Sequence, residues 1–368
     1  PTTLRLGIPY INRCHPAFLE TVLMVATTPS KNKFNLIPVR HLRIISLYQE
    51  ASITVTEASD PEKIFHPKVI TVIPTWNDTA LTSRCISSLA NTTYPNLHVL
   101  LVDNGSQPEC AASLKEKHPE IETLRLDKNY GFTGGCNRGM EAALNQNADY
   151  IFLLNNDTIV HEGAVQHLVD TMEAHPKAGL ASALLLYPGE ERKVQFYRGF
   201  VERNIARHYH PQDQQPWTPE FQETIQTEFA PACALLYRPQ TLLQVGLFDE
   251  SLFTNWEDYD LHLRIADGGW DLYTVGKAEV IHAHGQTQGR ISPFVTYFVT
   301  RNRFICLFRF GSPPGILFGL PRFVRTLWWQ MKEYRLNNWG AHAALLKGIL
   351  HYFMGVRGEN GAPGKRSD

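Results

Sequence analysis

The sequence predicts an α/β protein built on a mostly parallel sheet with helices on both faces. Three observations predict it. From Lys68 onward, β-branched apolar runs alternate with stretches whose apolar residues recur at helical spacing. Each run ends in a cluster of polar, acidic or glycine residues, which puts chemistry-bearing side chains at the carboxyl edge of such a sheet. Finally, 43% hydrophobic against 19% charged residues supports a large core and excludes wholesale disorder. The 35 basic and 36 acidic residues give a net charge of −1, which excludes the global basic field of a dedicated nucleic-acid binder.

Taken in order, residues 1–66 form an N-terminal extension with a strand-like run at 4–10, an apolar stretch at 18–26 and a polar linker at 56–67. Residues 68–73 (KVITVI) predict the first strand, followed by a helix with Leu81, Cys85, Ile86 and Leu89 on one face. A second strand is expected at 97–102, a helix at 108–118 and a third strand at 122–126. A glycine-rich loop then opens a helix at about 136–146, ahead of a fourth strand at 150–154 and an amphipathic helix at about 161–175. Residues 67–300 read as the main domain.

Residues 301–368 change character. Between residues 301 and 357, Arg301, Arg303, Arg309, Arg322, Arg325, Lys332, Arg335, Lys347 and Arg357 stand against a single acid, Glu333, with phenylalanines and tryptophans between them. Such a stretch either lies on an anionic membrane surface or forms a helical subdomain packed on the core. No stretch of about 20 residues is free of charge, so no spanning helix is expected. The six cysteines are scattered without a C-x-x-C pair, as for reduced thiols, and residues 1–13 lack the order of a signal peptide. The expected location is cytoplasmic, on the inner face of the cell membrane.

Several clusters could carry chemistry. Asn155-Asn156-Asp157, after an apolar strand, either holds a hard divalent cation or forms a turn with Asp157 capping the next helix. Asp103-Asn104-Gly105-Ser106 is a turn whose carboxylate could accept the imide N–H of a pyrimidine base. Gly131, Gly134, Gly135 and Gly139 lack dinucleotide spacing but allow close backbone approach. In Trp256-Glu257-Asp258-Tyr259-Asp260, a capping box with Asn255 as N-cap competes with a general base at Glu257 or Asp258. Asp260 and Arg264 have the spacing of an ordinary helix-surface pair. His282 and His284 end a strand-like run and could complete a metal shell, although His208 and His210 show the same spacing in a polar stretch. Residues 195–226 form a polar segment whose Tyr197, Trp217 and Phe221 either face a ligand or pack in the core.

The ordered motifs VIPTWND, LLVDNGS, NYGFTGGCNRG, YIFLLNNDT, VGLFDE, WEDYDLHLR, AEVIH and YFVTRN resemble those of family-2 inverting glycosyltransferases with the GT-A fold, especially bacterial rhamnosyltransferase-like members. The resemblance spans about residues 68–302. It implies that Pro74, Asn77 and Asp103 line the base and ribose pocket, that Gly134 and Asn137 back the donor, and that Asn156 lies beside the ribose. It further implies Asp157 and His282 as ligands of Mg²⁺ or Mn²⁺, and Asp258 as catalytic base. Glu257 and Arg264 would buttress that base, with Arg301-Asn302 closing the site. Partners follow: a dTDP- or UDP-linked sugar, a saccharide or lipid-linked acceptor, and an anionic membrane surface. As a residue at a helix N-terminus, Asp258 should have a lowered pKa, which desolvation by Trp256 would oppose. Two departures from the family pattern are Asn155 at the first acidic position and Pro231 where glycine is common. They motivate a second reading, a catalytically silent nucleotide-binding scaffold; a sugar nucleotidyltransferase is a third.

Overall fold

Strand direction decides where the chemistry can sit. The computed structural model describes residues 66–283, 292–333 and 338–363. They belong to one unit, Ile64–Asp368. The runs at 4–10 and 18–26, and His284, lie outside the described residues.

The first half alternates as its apolar runs imply. β1 (Val69–Thr75) is buried throughout and leads to Asp78, whose carboxylate accepts the Leu81 amide and caps α1 (Thr79–Ala90). α1 buries Cys85, Ile86 and Leu89. Then come β2 (Leu97–Asp103), α2 (Ala111–Lys117), β3 (Glu122–Arg125) and α3 (Gly131–Asn145). α3 starts at Gly131 rather than near Cys136, so the glycines expected in a loop lie within the helix. Gly139 lets α3 approach the sheet: a Cβ there would sit 2.3 Å from Val72 Cγ1. β4 (Tyr150–Leu154), β5 (Thr158–Val160) and α4 (Ala164–Ala174) complete this half.

The second half was less legible. β6 (Ala178–Leu186) is buried at every position, yet its sequence, AGLASALLL, has no β-branched residue. Its strand state comes from pairing with neighbours on both sides. There follow β7 (Val194–Phe196), the two-stranded ribbon β8 (Phe200–Glu202) and β9 (Arg207–Tyr209), β10 (Thr224–Gln226) and β11 (Ala234–Tyr237). Next are α5 (Pro239–Val245), α6 (Glu257–Asp267) and the long β12 (Asp271–His282). Three helices close the chain: α7 (Pro293–Phe310), α8 (Pro313–Glu333) and α9 (Trp339–Phe353).

The main sheet runs β10-β12-β6-β11-β4-β1-β2-β3. β1 is parallel to β2 and β4, β2 to β3, and β6 to β12. β11 lies antiparallel between β4 and β6, so β6 and β12 point the same way as β1 to β4. The mostly parallel sheet is therefore present, and it delivers Thr75, Asp103, Leu154 and His282 to one edge. Thr75 is level with Asp103, and Ala234 of β11 stands opposite Leu154, so β11 begins at that same edge. α7 buries both apolar residues and Arg301, Asn302 and Arg303, while α8 and α9 pack on it through Phe304. Among the described residues, no helix is long and apolar enough to cross a membrane.

Candidate active site

At the carboxyl edge, antiparallel pairing of β5 with β12 sets His282 opposite Thr158. This brings His282 Nε2 to 3.3 Å from Asp157 Oδ1. The other ring nitrogen, Nδ1, is 2.7 Å from Gln195 Oε1, which fixes the ring's orientation. Burial works against a proton on His282, but the adjacent Cys233 and Asp157 outweigh it and raise its pKa to about 10. Asn155 Oδ1 lies beside this pair in sequence and is buried without a hydrogen-bond partner. A carboxylate, an imidazole and an orphaned amide oxygen suit a hard divalent ion that takes its remaining ligands from phosphate and water. Among the described residues, no three His, Cys, Asp or Glu side chains form a ready metal cage.

The second cluster opens α6. Its N-cap is Trp256, not Asn255, and Phe253, Asn255 and Trp256 all take left-handed backbone conformations with φ of 65°, 64° and 73°. Each such residue costs about 1–3 kcal/mol and persists only where its surroundings impose it. Here Asn302 imposes it: its Nδ2 lies 2.8–2.9 Å from the carbonyl oxygens of Leu252, Thr254 and Asn255. Arg301 donates to the carbonyls of Ser251, Leu252 and Gly358. Arg301 is fully buried, with these donors turned to the protein's own backbone.

The strained entry turns two carboxyl groups inward. Glu257 is buried, its Oε2 has no partner, and burial followed by the charge of Asp258 pushes its pKa well above the carboxylate range. Asp258 is half-buried; burial raises its pKa to about 6 against the backbone amides of Tyr259 and Ala232, which bond to it. The helix terminus was expected to lower this value, but desolvation wins. Glu257 is thus held neutral beside an Asp258 that ionises near neutral pH, a division suited to one base. Arg264 does not buttress Asp258. It pairs with the fully buried Asp260 at 2.8 Å and donates to the carbonyls of residues 245–247, while Arg309 also pairs with Asp260. The expected surface pair is a buried one.

One short segment joins the clusters. The Ala232 amide donates to Asp258 Oδ2, the Cys233 carbonyl accepts the Asn155 amide, and the Cys233 thiol lies against His282. The sequence singles out Pro231, beside Ala232-Cys233, and the segment starting at Gln195, but not these contacts, because each depends on strands distant in the chain.

On the β1 side, Pro74 lies next to last in the buried strand and Asn77 adopts φ 56°, with its Oδ1 accepting the Gln107 amide. Asn156 Nδ2 donates to Thr82 at 3.0 Å. Asp103 is fully buried, accepts the amides of Ser106, Cys110 and Ala111, and pairs with Arg125 at 2.8 Å. Burial alone would raise its pKa, but these hydrogen bonds outweigh it and hold the carboxyl below its usual range. Its visible work is to shape the turn. Asn137 bonds to Phe248 and Glu250, and Gly134 lies in α3 against Tyr130, so both brace the helix. Tyr197 and Phe221 pack edge-to-face at 5.1 Å, with Trp217 against their small core, so these aromatics serve packing. His208 stacks on Phe229 at 4.2 Å and burial lowers its pKa to about 3.

Residues 70–231 match the family described as Glycosyl transferase family 2. An N-acetylglucosaminyl-diphospho-decaprenol L-rhamnosyltransferase of Mycobacterium tuberculosis is 28% identical over 228 residues, covering 56% of this chain and 73% of that protein. The O-antigen biosynthesis protein RfbC of Myxococcus xanthus is 29% identical over 227 residues, covering 59% of this chain and 17% of that protein. A structure of GalNAc-T7 with UDP, GalNAc and Mn²⁺ aligns with a TM-score of 0.48 at 17% identity, covering 64% of this chain and 47% of that one.

Proposed function

We propose that this chain, whose residues 70–231 match Glycosyl transferase family 2, is a family-2 glycosyltransferase with a GT-A fold that transfers a sugar, with inversion, from a nucleoside diphosphate to a saccharide or lipid-linked saccharide in surface polysaccharide synthesis. The observation that carries this is the Ala232-Cys233 bridge between a desolvated base, Asp258, and the Asp157–His282 pair. Rhamnose is the sugar the similar mycobacterial enzyme's name suggests. A dTDP or UDP donor would enter between Pro74, Asn77 and the turn shaped by Asp103, with Asn156 beside the ribose.

Asp157 and His282 would hold Mg²⁺ or Mn²⁺, which when bound offsets charge on the diphosphate. Asp258 takes the proton of the acceptor hydroxyl as its oxygen bonds to the anomeric carbon. The bond from that carbon to the diphosphate oxygen breaks on the opposite face, so the nucleoside diphosphate leaves and the configuration inverts. Glu257, neutral and buried, keeps a second negative charge away from the attacking oxygen. Holding both reactants in line removes much of the entropic barrier. A lipid-linked acceptor puts this work at the inner face of the cell membrane.

The test is transfer or hydrolysis of radiolabelled donor sugar by the full chain. Release of labelled sugar that falls by about 10²–10⁴-fold in Asp258→Asn is the expected result. Nucleotide binding without any turnover would instead favour the silent scaffold, and pyrophosphate release from a nucleoside triphosphate the nucleotidyltransferase.

A further inference from the structure

The basic residues of the C-terminal helices divide into two sets. Arg301 and Arg303 are buried and bonded to carbonyls of residues 251–252 and 205–206, and Arg309, though exposed, is paired with Asp249 and Asp260. Arg322, Arg325 and Lys332 are exposed on α8. Arg322 touches Glu202 with 57% of its side chain still open to solvent.

The apolar residues divide the same way. Phe323 of α8, and Ile349 and Tyr352 of α9, pack on Phe304 and Leu307 of α7. On the opposite side of α8, Leu317, Pro321, Val324 and Trp328 recur at helical spacing, with Phe318, 83% exposed, beside them. α9 repeats the pattern with Trp339, Leu346, Leu350 and Phe353, of which Trp339 is 79% exposed. Two adjacent helices thus carry open apolar stripes, well beyond scattered surface leucines. Residues 313–332 and 339–353 contain no Asp or Glu.

We propose that the outer faces of α8 and α9 dock on an anionic lipid surface. Apolar stripes flanked by Arg322, Arg325 and Lys332 match acyl chains below a plane of phosphates, with tryptophan at the boundary. A second copy of the chain seated on the same face would bring Arg322, Arg325 and Lys332 against like charges. Docking also bears on the active site. α7 carries both helices and clamps residues 251–255 through Arg301 and Asn302, so the membrane plane would be held at a fixed height from Asp258. Only this last step, presentation of a lipid-linked acceptor, rests on the proposed transferase activity.

The test is co-sedimentation of the full chain with phosphatidylcholine vesicles, with and without phosphatidylglycerol. Salt-sensitive binding to the anionic vesicles is expected, weakened about 10- to 100-fold by Arg322→Glu with Arg325→Glu. Leu346→Ser with Leu350→Ser should weaken it comparably, and Leu243→Ser, at a 72% exposed site on α5, should leave it unchanged. Unchanged melting temperature and UDP binding in these variants would show that the fold and donor site survive. No vesicle binding by the parent overturns the proposal. So does a change from dimer to monomer in the leucine variant with vesicle binding intact, which would assign the face to a second copy. Vesicle binding by a chain that binds no nucleotide would support the dock and count against the transferase.

Discussion

Asp258 shows how far residue type predicts chemistry. An acid at the mouth of a helix could be located from the sequence, but its proton affinity could not, because burial is opposed there by the amides of Tyr259 and Ala232, brought together by a strained turn and a distant strand. With its pKa raised to about 6, activity should fall as pH drops through about 6, since protonated Asp258 accepts no proton. A pH profile of initial rates checks this; a limb near pH 4 would contradict it. The linkage sign is the reverse of the usual carboxylate. The folded chain holds this proton more tightly than the unfolded one, so the stability it confers is present below about pH 4 and lost as pH rises through about 6. Asp258→Asn should therefore melt higher than the parent at pH 7.5, by up to about 2 kcal/mol given the half-buried site, while losing activity.

Among the elements, legibility followed local propensity. β1, β2 and β4 are β-branched or apolar runs bounded by turns, and their bounds were read closely. β6 escaped because alanine and leucine carry no strand preference, and β7 to β10 because three-residue strands exist only through their partners. The glycines of α3 suggest a loop by composition, yet they lie within the helix, where Gly139 permits close packing on the sheet. The pair Arg301-Asn302 was noticed as a motif, but its task of bracing the turn before α6 could be seen only in three dimensions. Asn302→Ala removes the brace from three left-handed residues. It should lower stability by about 1–3 kcal/mol in chemical denaturation and reduce kcat more than it raises the donor KM. Unaltered kcat would mean that the turn holds its shape unaided.

For the molecule as a whole, a sheet with its carboxyl ends on one edge gathers residues from 75 to 282 into one site. The C-terminal helices then tie that site to an open apolar and basic surface. The sequence marked the basic, aromatic composition of that region, yet which arginines face in and which face out follows only from the packing of α7. The central claim is a donor site built on Asp157 and His282, and calorimetric titration of the full chain with UDP and dTDP, with and without Mn²⁺, tests it most directly. The account predicts binding of a pyrimidine diphosphate that tightens with Mn²⁺, a gain abolished by Asp157→Ala. Equal affinity with and without the metal, unchanged by Asp157→Ala, would contradict it.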